Sequence, residues 1–329
     1  DAIADLQKED LIDPEAQDLL YQGDAEKWLK LAYGLKARYT MHLLKRSANK
    51  DADMEKVLEY VNNSFESAEE QAAFDVYDAN NINPLYGFFV ARAGLGASES
   101  MRSKLAEYND PRLSRAFITK QGTSGKEQAP GTADNAVYAP NGTPEQGTSQ
   151  YGTSLFMYSI SAPTLLLSYH ELKFLEAEAL CRLERDAKSA LKDAVVAGLL
   201  NAENSFTISR KELGKTLINA ASSITEAEAE SYFDNTIEAK YTAEPLKTTM
   251  TQKYFALWGA SGEATESYND VRRMKGLGEN FIELKNPNSF PLRCPYGNSD
   301  TTTNAEVKAA YGNGQYVYSE NVWWAGGSR

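Results

Sequence analysis

The sequence predicts a mainly α-helical fold, in which tetratricopeptide-like helix pairs pack against a loop-rich half with few short strands. Apolar residues recur at helical spacing in two paired segments, near residues 24–64 and 168–205. Between these pairs lies a Gly- and Pro-rich window at residues 121–153. The sequence shows no strand–helix alternation, which argues against a doubly wound sheet. We therefore expect the 329 residues to form a single domain.

The first helix pair is predicted within residues 24–64. Asp24 is a favourable N-cap for a helix that reaches about residue 46, and a second helix is predicted from residue 53 to about residue 64. The basic residues beside the apolar stripe are interpreted as a solvated face, and His42 as a packed or capping residue. Those basic residues are Lys27, Lys30, Lys36 and Arg38.

Regular patterns weaken after the first pair. We expect residues 74–89 to be irregular or extended, and residues 98–108 to form a short helix. The window at residues 121–153 contains six glycines and three prolines among Thr, Ser, Gln and Asn. Long loops in compact domains are functional or disordered more often than not, so the amides and tyrosines of this window are candidates for lining a ligand site. A surface loop without a binding role explains the composition equally well.

The second helix pair, residues 168–205, has the clearest local signals. Ser168 and Glu171 have the spacing of a capping box, in which the Ser hydroxyl accepts from the N3 amide and the Glu carboxylate reaches back to the N-cap amide. Asp186 offers an N-cap to the second helix of the pair. The pair has about the length of one tetratricopeptide repeat, ~34 residues, and it needs neighbours to bury both of its faces.

The remaining part of the chain is predicted to be helical first and irregular afterwards. Helices are expected over residues 211–220, 226–233, 246–258 and 263–274. The last segment, residues 279–329, holds several prolines and glycines and is expected to be an irregular tail with a few short strands at most.

Composition excludes several classes of function. The 34 basic and 46 acidic residues give a net charge of −12, which argues against a nucleic-acid partner and against docking on anionic lipid. No apolar run approaches the length of about 18 residues that a membrane span needs. The chain opens at Asp1 without Met and without a visible signal peptide, so we expect a processed or trimmed chain. Cys181 and Cys294 are predicted to be free, buried thiols.

The sequence contains no motif that indicates an enzyme. The chain contains only two histidines, His42 and His170, which argues against a histidine-rich metal centre and against a serine-type catalytic triad. The sequence also lacks a phosphate-binding loop motif. Charged residues at helical spacing are interpreted as structural ion pairs. These are Glu178 with Arg182, and Asp270 with Arg272 and Arg273. We predict no catalytic residues, no cofactor and no metal site, and we leave open a Ca²⁺ ion among the central Asp and Asn residues.

Short motifs spread along the chain occur together in one order. They are YQGDAEKW at residues 21–28, LKAR at 35–38, NP at 83–84, DPRL at 110–113, FLEAEA at 174–179, TQKY at 251–254, ESYNDVRR at 266–273, PLR at 291–293 with Tyr296, and VWW at 322–324. In this order they resemble the SusD/RagB family, most closely its SusD-like type 2 branch. Gly297 and Ala325 depart from the family's usual Pro and Asp, and about the first 150 residues of the family, including a repeat or more, are expected to be missing.

The resemblance implies a nutrient-binding lipoprotein on the cell-surface side of the outer membrane, which is not an enzyme. It implies attachment by an N-terminal lipid absent from this chain. It also implies a partner, a SusC-like TonB-dependent transporter, to which an oligosaccharide is delivered. Together with the composition of residues 121–153, it points to Tyr138 and Tyr151 as stacking platforms facing an opening, and to Asn135 and Gln150 as hydrogen-bond partners of the ligand.

Three other functions stay open at this point. The same architecture could capture an oligopeptide, because an acidic surface and an amide-rich loop suit a peptide as well as a sugar. A helical-repeat scaffold held by protein contacts alone is a second possibility. A glycosidase, which needs two carboxylic acids facing each other across a groove, is the third.

Overall fold

Helices make up most of the regular structure, as the sequence predicts. The computed structural model describes residues 2–8, 14–91, 95–121, 127–130, 137–142, 151–214, 217, 220–259, 261–286 and 288–327. Its helices are α1 (Ala2–Leu6), α2 (Ala25–His42), α3 (Lys50–Asn62), α4 (Pro84–Ala91), α5 (Glu99–Glu107), α6 (Leu113–Ala116), α7 (Tyr169–Arg182), α8 (Lys188–Leu213), α9 (Glu226–Tyr232), α10 (Glu238–Ala243), α11 (Pro245–Ala256), α12 (Ala264–Leu277), α13 (Asn298–Thr303) and α14 (Ala305–Tyr311).

The strands are short and form two small antiparallel sheets. They are β1 (Ala72–Phe74), β2 (Phe117–Gln121), β3 (Glu127–Pro130), β4 (Thr153–Ser154) and β5 (Thr164–Leu167). The first sheet pairs β1 with β5, with Ala72 opposite Leu167 and an irregularity after Ala72. The second sheet has the order β3-β2-β4 and places Phe117 opposite Ser154. Both sheets sit at the ends of loops and give the helices their connections.

The predicted first pair is α2 packed on α3. Asp24 caps α2 by accepting a hydrogen bond from the Lys27 amide at 3.1 Å, as expected for a side-chain N-cap. Gly34 allows a close approach, because a Cβ there would lie 2.4 Å from Cδ2 of Leu167. The prediction of a solvated basic face is wrong for Arg38, which is buried because its guanidinium pairs with Glu171.

The predicted second pair is α7 followed by α8. Ser168 Oγ accepts from the Glu171 amide at 3.0 Å, which confirms one half of the capping box. The other half is wrong, because the Glu171 carboxylate turns to Arg38 and the Ser168 amide donates to Glu263 instead. The predicted N-cap Asp186 is wrong by one residue, because Ala187 is the N-cap of α8; the Asp186 carboxylate still accepts from the Lys188 amide at 2.9 Å.

Several boundaries differ from the predictions. Helix α8 runs on to Leu213, so the helix expected at residues 211–220 begins as the end of α8. Residues predicted to be irregular form α4, which begins with Pro84 at its first position, where proline suits a helix. The tail holds α13 and α14, each only six or seven residues long. Such short helices show too few turns for a periodic pattern to be read.

The apolar core has two main parts on either side of α7. One part lies between α2, α3 and the side of α7 that carries Leu172 and Leu175. The other lies between α5, α8, α9, α11 and β2, and Phe174 of α7 belongs to it. Helix α7 therefore lies between the two parts of the core and packs against both, which explains why its apolar residues form two stripes.

A buried ion-pair network runs through the same region. Arg273 of α12 donates to both carboxylate oxygens of Glu178 of α7, with its Nη1 2.5 Å from Oε1, and it also pairs with Asp270 at 2.9 Å. Arg182 donates to Glu178 at 2.7 Å. The structural ion pairs predicted for Glu178, Arg182, Asp270 and Arg273 are confirmed, whereas Arg272 donates to the Tyr268 hydroxyl instead of pairing with Asp270.

The described residues also answer two smaller questions from the sequence. None of the helices in the described ranges is long and apolar enough to cross a membrane. Cys181 and Cys294 are both free thiols as predicted, but neither is fully buried, since Cys181 is half-buried and Cys294 in the tail is exposed.

Candidate functional site

A groove with a volume of about 760 Å³ is the candidate site. It lies between α5, α11, the segment after α12 and residues 140–141 of the Gly- and Pro-rich window. Its volume is within the range of ligand-binding clefts. The lining residues are Glu99, Ser100, Ser103, Lys104, Glu107, Tyr108, Pro140, Asn141, Lys247, Thr251, Phe255, Asn280, Phe281, Ile282, Glu283 and Lys285.

Helix α5 supplies the polar wall of the groove. Ser98 caps the helix by accepting from the Met101 amide at 3.3 Å. Met101 and Leu105 point into the core, whereas Ser100, Ser103 and Lys104 line the groove. The helix is therefore amphipathic, with its hydroxyls and charges available on the open side.

The opposite wall comes from α11. Lys247, Thr251 and Phe255 are four residues apart and share one helical face, which is the face that lines the groove. Met250 lies on a different face and packs into a third apolar cluster with Val271 and Met274 of α12. Helix α11 thus separates the groove from the core beneath α12.

Aromatic rings lie deep in the groove and at its edge. The Tyr108 ring meets the Phe255 ring edge to face, with centroids 5.2 Å apart, and Lys240 Nζ lies 4.4 Å from the Tyr108 centroid. Burial raises the pKa of the Tyr108 hydroxyl, while a hydrogen bond with Thr251 opposes the rise. Phe281 is half-buried and is held in place because its neighbour Ile282 is anchored in the core with Met250.

Residues 137–142, within the Gly- and Pro-rich window, form the remaining wall. The Glu99 amide donates to the Ala139 carbonyl at 3.0 Å, and Ser98 Oγ donates to Asn141 Oδ1 at 3.0 Å. These bonds fix residues 137–142 against the start of α5. The Asn141 amide nitrogen is left to donate into the groove, which Asn141 and Pro140 line.

The four residues predicted to bind ligand have different positions. Tyr138 and Tyr151 are 3% and 7% exposed, so the structure does not present either ring as an open platform. Tyr138 packs edge to face on Phe117, at 5.3 Å between centroids, and burial raises its pKa to about 12. Asn135 and Gln150 lie outside the described residues. A ligand-binding role for the four stays a prediction.

Some of the groove residues that were not predicted from the sequence lie in an element that was predicted. The helix over residues 98–108 was predicted, but its polar face was not singled out. Its Ser and Lys residues at helical spacing were the available signal. Phe281 and Asn280 lie just after α12, in a segment without periodicity, and no pattern in the sequence marks them.

A second group of polar residues is buried in the core. Burial, together with the charge of Glu171, raises the pKa of Glu263 well above its usual range. Burial lowers the pKa of His170 to about 4, so this ring is neutral near pH 7. The cavity beside His170 measures only about 20 Å³, room for about one water molecule. The group is therefore closed to any substrate and serves the fold.

Within the described ranges, no three or more His, Cys, Asp or Glu side chains come together in a way that could hold a metal ion.

Comparison with known proteins gives a consistent result. The family model SusD-like_2, described as "Starch-binding associating with outer membrane", matches residues 1–296. A SusD/RagB family protein from Bacteroides thetaiotaomicron VPI-5482 is 66% identical, with a TM-score of 0.94, and the match covers 99% of this chain and 70% of that one. No curated protein matches the chain.

More distant structures share the fold alone. A SusD homolog from Bacteroides fragilis NCTC 9343 is 20% identical with a TM-score of 0.70, over 94% of this chain and 69% of that one. A chitin-binding protein is also 20% identical, with a TM-score of 0.68, over 94% of this chain and 66% of that one.

Proposed function

The chain belongs to the SusD/RagB family of nutrient-binding proteins associated with the outer membrane, and on that premise we propose that it captures an oligosaccharide in the groove between α5 and α11. The captured sugar is then passed to a SusC-like TonB-dependent transporter. The protein acts on the cell surface as a binding protein and leaves the sugar chemically unchanged.

The observation that carries the proposal is the lining of the groove. A sugar ring has an apolar C–H face and a rim of hydroxyls, so its site needs aromatic surface beside hydrogen-bonding groups. Phe281 and the edge of Tyr108 supply the aromatic surface, and Asn141 and Asn280 supply amides. The hydroxyls of Ser103 and Thr251 line the same groove.

The predicted tyrosines take part from behind the groove in this proposal. Tyr138 lies in the core next to Pro140 and Asn141, and its ring is covered by the Arg102 guanidinium at 5.1 Å. Tyr151 is buried beside Gly152, whose amide donates to the Val137 carbonyl at 2.8 Å. Both residues hold the segment that forms one wall, and Asn135 and Gln150 are kept as candidates for direct contact from the same window.

A binding experiment tests the groove. A glycan array identifies a ligand, and calorimetry then compares the unaltered protein with the variants Phe281→Ala and Asn280→Ala. We expect Phe281→Ala to weaken binding by about 1–3 kcal/mol, on the scale measured for base–aromatic stacking. Tyr318→Ala is the control, because Tyr318 is 59% exposed and does not line the groove.

These binding measurements, extended to a peptide pool and to co-purification, separate the other candidate functions. Unchanged affinity in Phe281→Ala and Asn280→Ala would rule out this groove as the sugar site. Binding of a peptide pool in place of the glycans would favour oligopeptide capture. Co-purification with a β-barrel transporter supports delivery, whereas a scaffold held by protein contacts alone would bind neither glycan nor peptide.

A further inference from the structure

Lys104 differs from the other lysines that line the groove. Lys247 Nζ is 2.8 Å from Glu244 Oε2, and Lys285 Nζ is 2.5 Å from Glu283 Oε1, so each of these ammonium groups already has a carboxylate partner at the surface. The Lys104 ammonium donates to Ser100 Oγ at 2.8 Å, and among the described residues it forms no ion pair with a carboxylate. The charge of Lys104 is therefore available to an anionic group of a ligand.

The position of Lys104 makes this charge effective. The side chain is half-buried on the groove side of α5, between the hydroxyls of Ser100 and Ser103. Burial lowers the pKa of its ammonium, and the nearby charges of Glu283 and Lys285 act in opposite directions. A partly desolvated cation gains more from an anionic partner than a fully hydrated one does.

The surroundings of the groove bear on the sign of the ligand. The whole chain has a net charge of −12, yet the lysines and glutamates lining the groove are equal in number. Glu99 accepts a hydrogen bond from Ser103 Oγ at 3.1 Å, and Glu107 is exposed at the outer end of α5. Counted over its lining residues alone, the groove is therefore less acidic than the chain as a whole, and Lys104 is the lining lysine for which the described residues show no carboxylate partner.

We infer that the ligand of the groove is an anionic glycan, whose carboxylate or sulfate group pairs with the Lys104 ammonium. This inference rests on the proposed function and narrows its substrate class. The anionic group takes the place that a protein carboxylate takes at Lys247 and Lys285. The amides of Asn141 and Asn280 and the hydroxyl of Thr251 then receive the hydroxyls of the neighbouring sugar units.

The test uses tetrasaccharides in matched charged and neutral forms. Tetragalacturonate is compared with its methyl ester, and a sulfated carrageenan tetrasaccharide with its desulfated form. We expect the acidic member of at least one pair to bind at least about 10-fold more tightly, which is the scale of one hydrogen bond to a charged group. The pair that shows the difference identifies the anion as a carboxylate or a sulfate.

Variants then assign the effect to Lys104. Lys104→Gln should weaken binding of the acidic sugar by about 10- to 100-fold and reduce the preference for the acidic over the neutral form by the same factor. Glu107→Gln should strengthen binding of the acidic sugar, because it removes a competing carboxylate one helical turn away. Lys192→Gln is the matched control, a helical lysine that pairs with Asp234 at 2.9 Å outside the groove. Thermal melting of each variant shows that it is folded.

Each outcome decides the question. Equal affinity for charged and neutral sugars, or an unchanged affinity for the acidic sugar in Lys104→Gln, overturns the inference. If neutral sugars bind with the same affinity as acidic ones and Phe281→Ala weakens that binding, the proposed function stands and the inference of an anionic ligand falls. If no sugar of the panel binds and a peptide pool does, the proposed function and this inference both fail.

Discussion

At the scale of single residues, Glu171 and Glu263 place two carboxyl groups around the guanidinium of Arg38. Arg38 Nε donates to Glu171 Oε1 at 2.9 Å, whereas its Nη2 is 3.6 Å from Glu263 Oε1. Burial alone would raise the pKa of Glu171, but Arg38 lowers it overall. For Glu263, burial and the charge of Glu171 both raise the pKa. Arg38 is hydrogen-bonded to Glu171 and more distant from Glu263, so Glu263 is the carboxyl of the pair that keeps its proton to higher pH.

This arrangement predicts opposite results for two amide substitutions. Glu263→Gln copies the protonated carboxyl, so we expect its free energy of unfolding at pH 7 to be unchanged or higher. Glu171→Gln removes the charged partner of Arg38, and we expect a loss of roughly 1–3 kcal/mol. Urea denaturation measures both variants. Equal losses in the two would contradict the assignment of the proton to Glu263.

The same pair gives the stability a pH dependence with a definite sign. Because the folded-state pKa of Glu263 lies above its unfolded value, its contribution is fully present below about pH 4.5 and is lost as the pH rises through the folded pKa. Glu263→Gln should remove that decline. A variant whose unfolding free energy still declined as steeply as that of the unaltered protein over this range would show that another group is responsible.

At the scale of elements, the strongly periodic segments were predictable and the others were not. Helices α2, α3 and α7 each have an apolar stripe and a polar N-cap, and α8 has a long apolar stripe, so their existence follows from local sequence. Helix α4 has apolar residues on every side, which removes the periodic signal. The Glu171 half of the capping box failed because a buried arginine more than a hundred residues away competes for the carboxylate.

The candidate groove shows the limit of local reasoning more clearly. Its walls come from α5, α11 and residues 280–285, which only the fold brings together. The sequence directed attention to the Gly- and Pro-rich window, and residues 140–141 of that window do line the groove. Tyr138 lies two residues earlier and packs on Phe117, because the chain there continues into the core beside β2 and β4.

The packing of this window against the core predicts an effect of a single methyl group. A Cβ at position 152 would lie 2.6 Å from Cε1 of Tyr138 and 2.9 Å from the backbone oxygen of Ile118, so Gly152→Ala must displace backbone. We expect a loss of about 1–3 kcal/mol in unfolding free energy, as for other overpacked sites. Gly87→Ala is the control, because its Cβ would meet only the end of Ile82 at 3.2 Å inside α4.

The two glycine variants should differ in sign. Alanine within a helix is favoured over glycine by roughly 0.5–1 kcal/mol, so Gly87→Ala should keep or raise stability. Thermal melting followed by circular dichroism compares them directly. If Gly152→Ala melts at the temperature of the unaltered protein, the wall formed by residues 137–142 is less tightly packed than the structure shows.

At the scale of the whole molecule, the buried charges connect helices that the apolar clusters separate. Arg38 joins α2 to α7 through Glu171, and Arg273 joins α12 to α7 through Glu178. Lys253 of α11 pairs with Asp270 of α12 at 2.9 Å, and Arg182 of α7 reaches Glu279 just beyond α12 at 2.9 Å. Because α11 and residues 280–285 are both walls of the groove, this network sets the width of the candidate site.

The largest predicted effect therefore comes from removing Arg273. Arg273→Met leaves Glu178 with Arg182 alone and leaves Asp270 with Lys253 alone, and breaking a buried pair from one side costs about 3–5 kcal/mol. Adding Glu178→Gln to Arg273→Met should cost less than the sum of the two single changes, because each removes a charge that the other leaves unpaired. Arg185→Met is the control, because its partner Glu55 is half-exposed and surface pairs contribute little.

Urea denaturation of the four variants measures their free energies of unfolding. Ligand titration of any Arg273→Met protein that stays folded then shows whether the groove keeps its affinity. A loss in Arg273→Met no larger than in Arg185→Met would mean that apolar packing, rather than the buried charges, holds α12 and the groove wall in place.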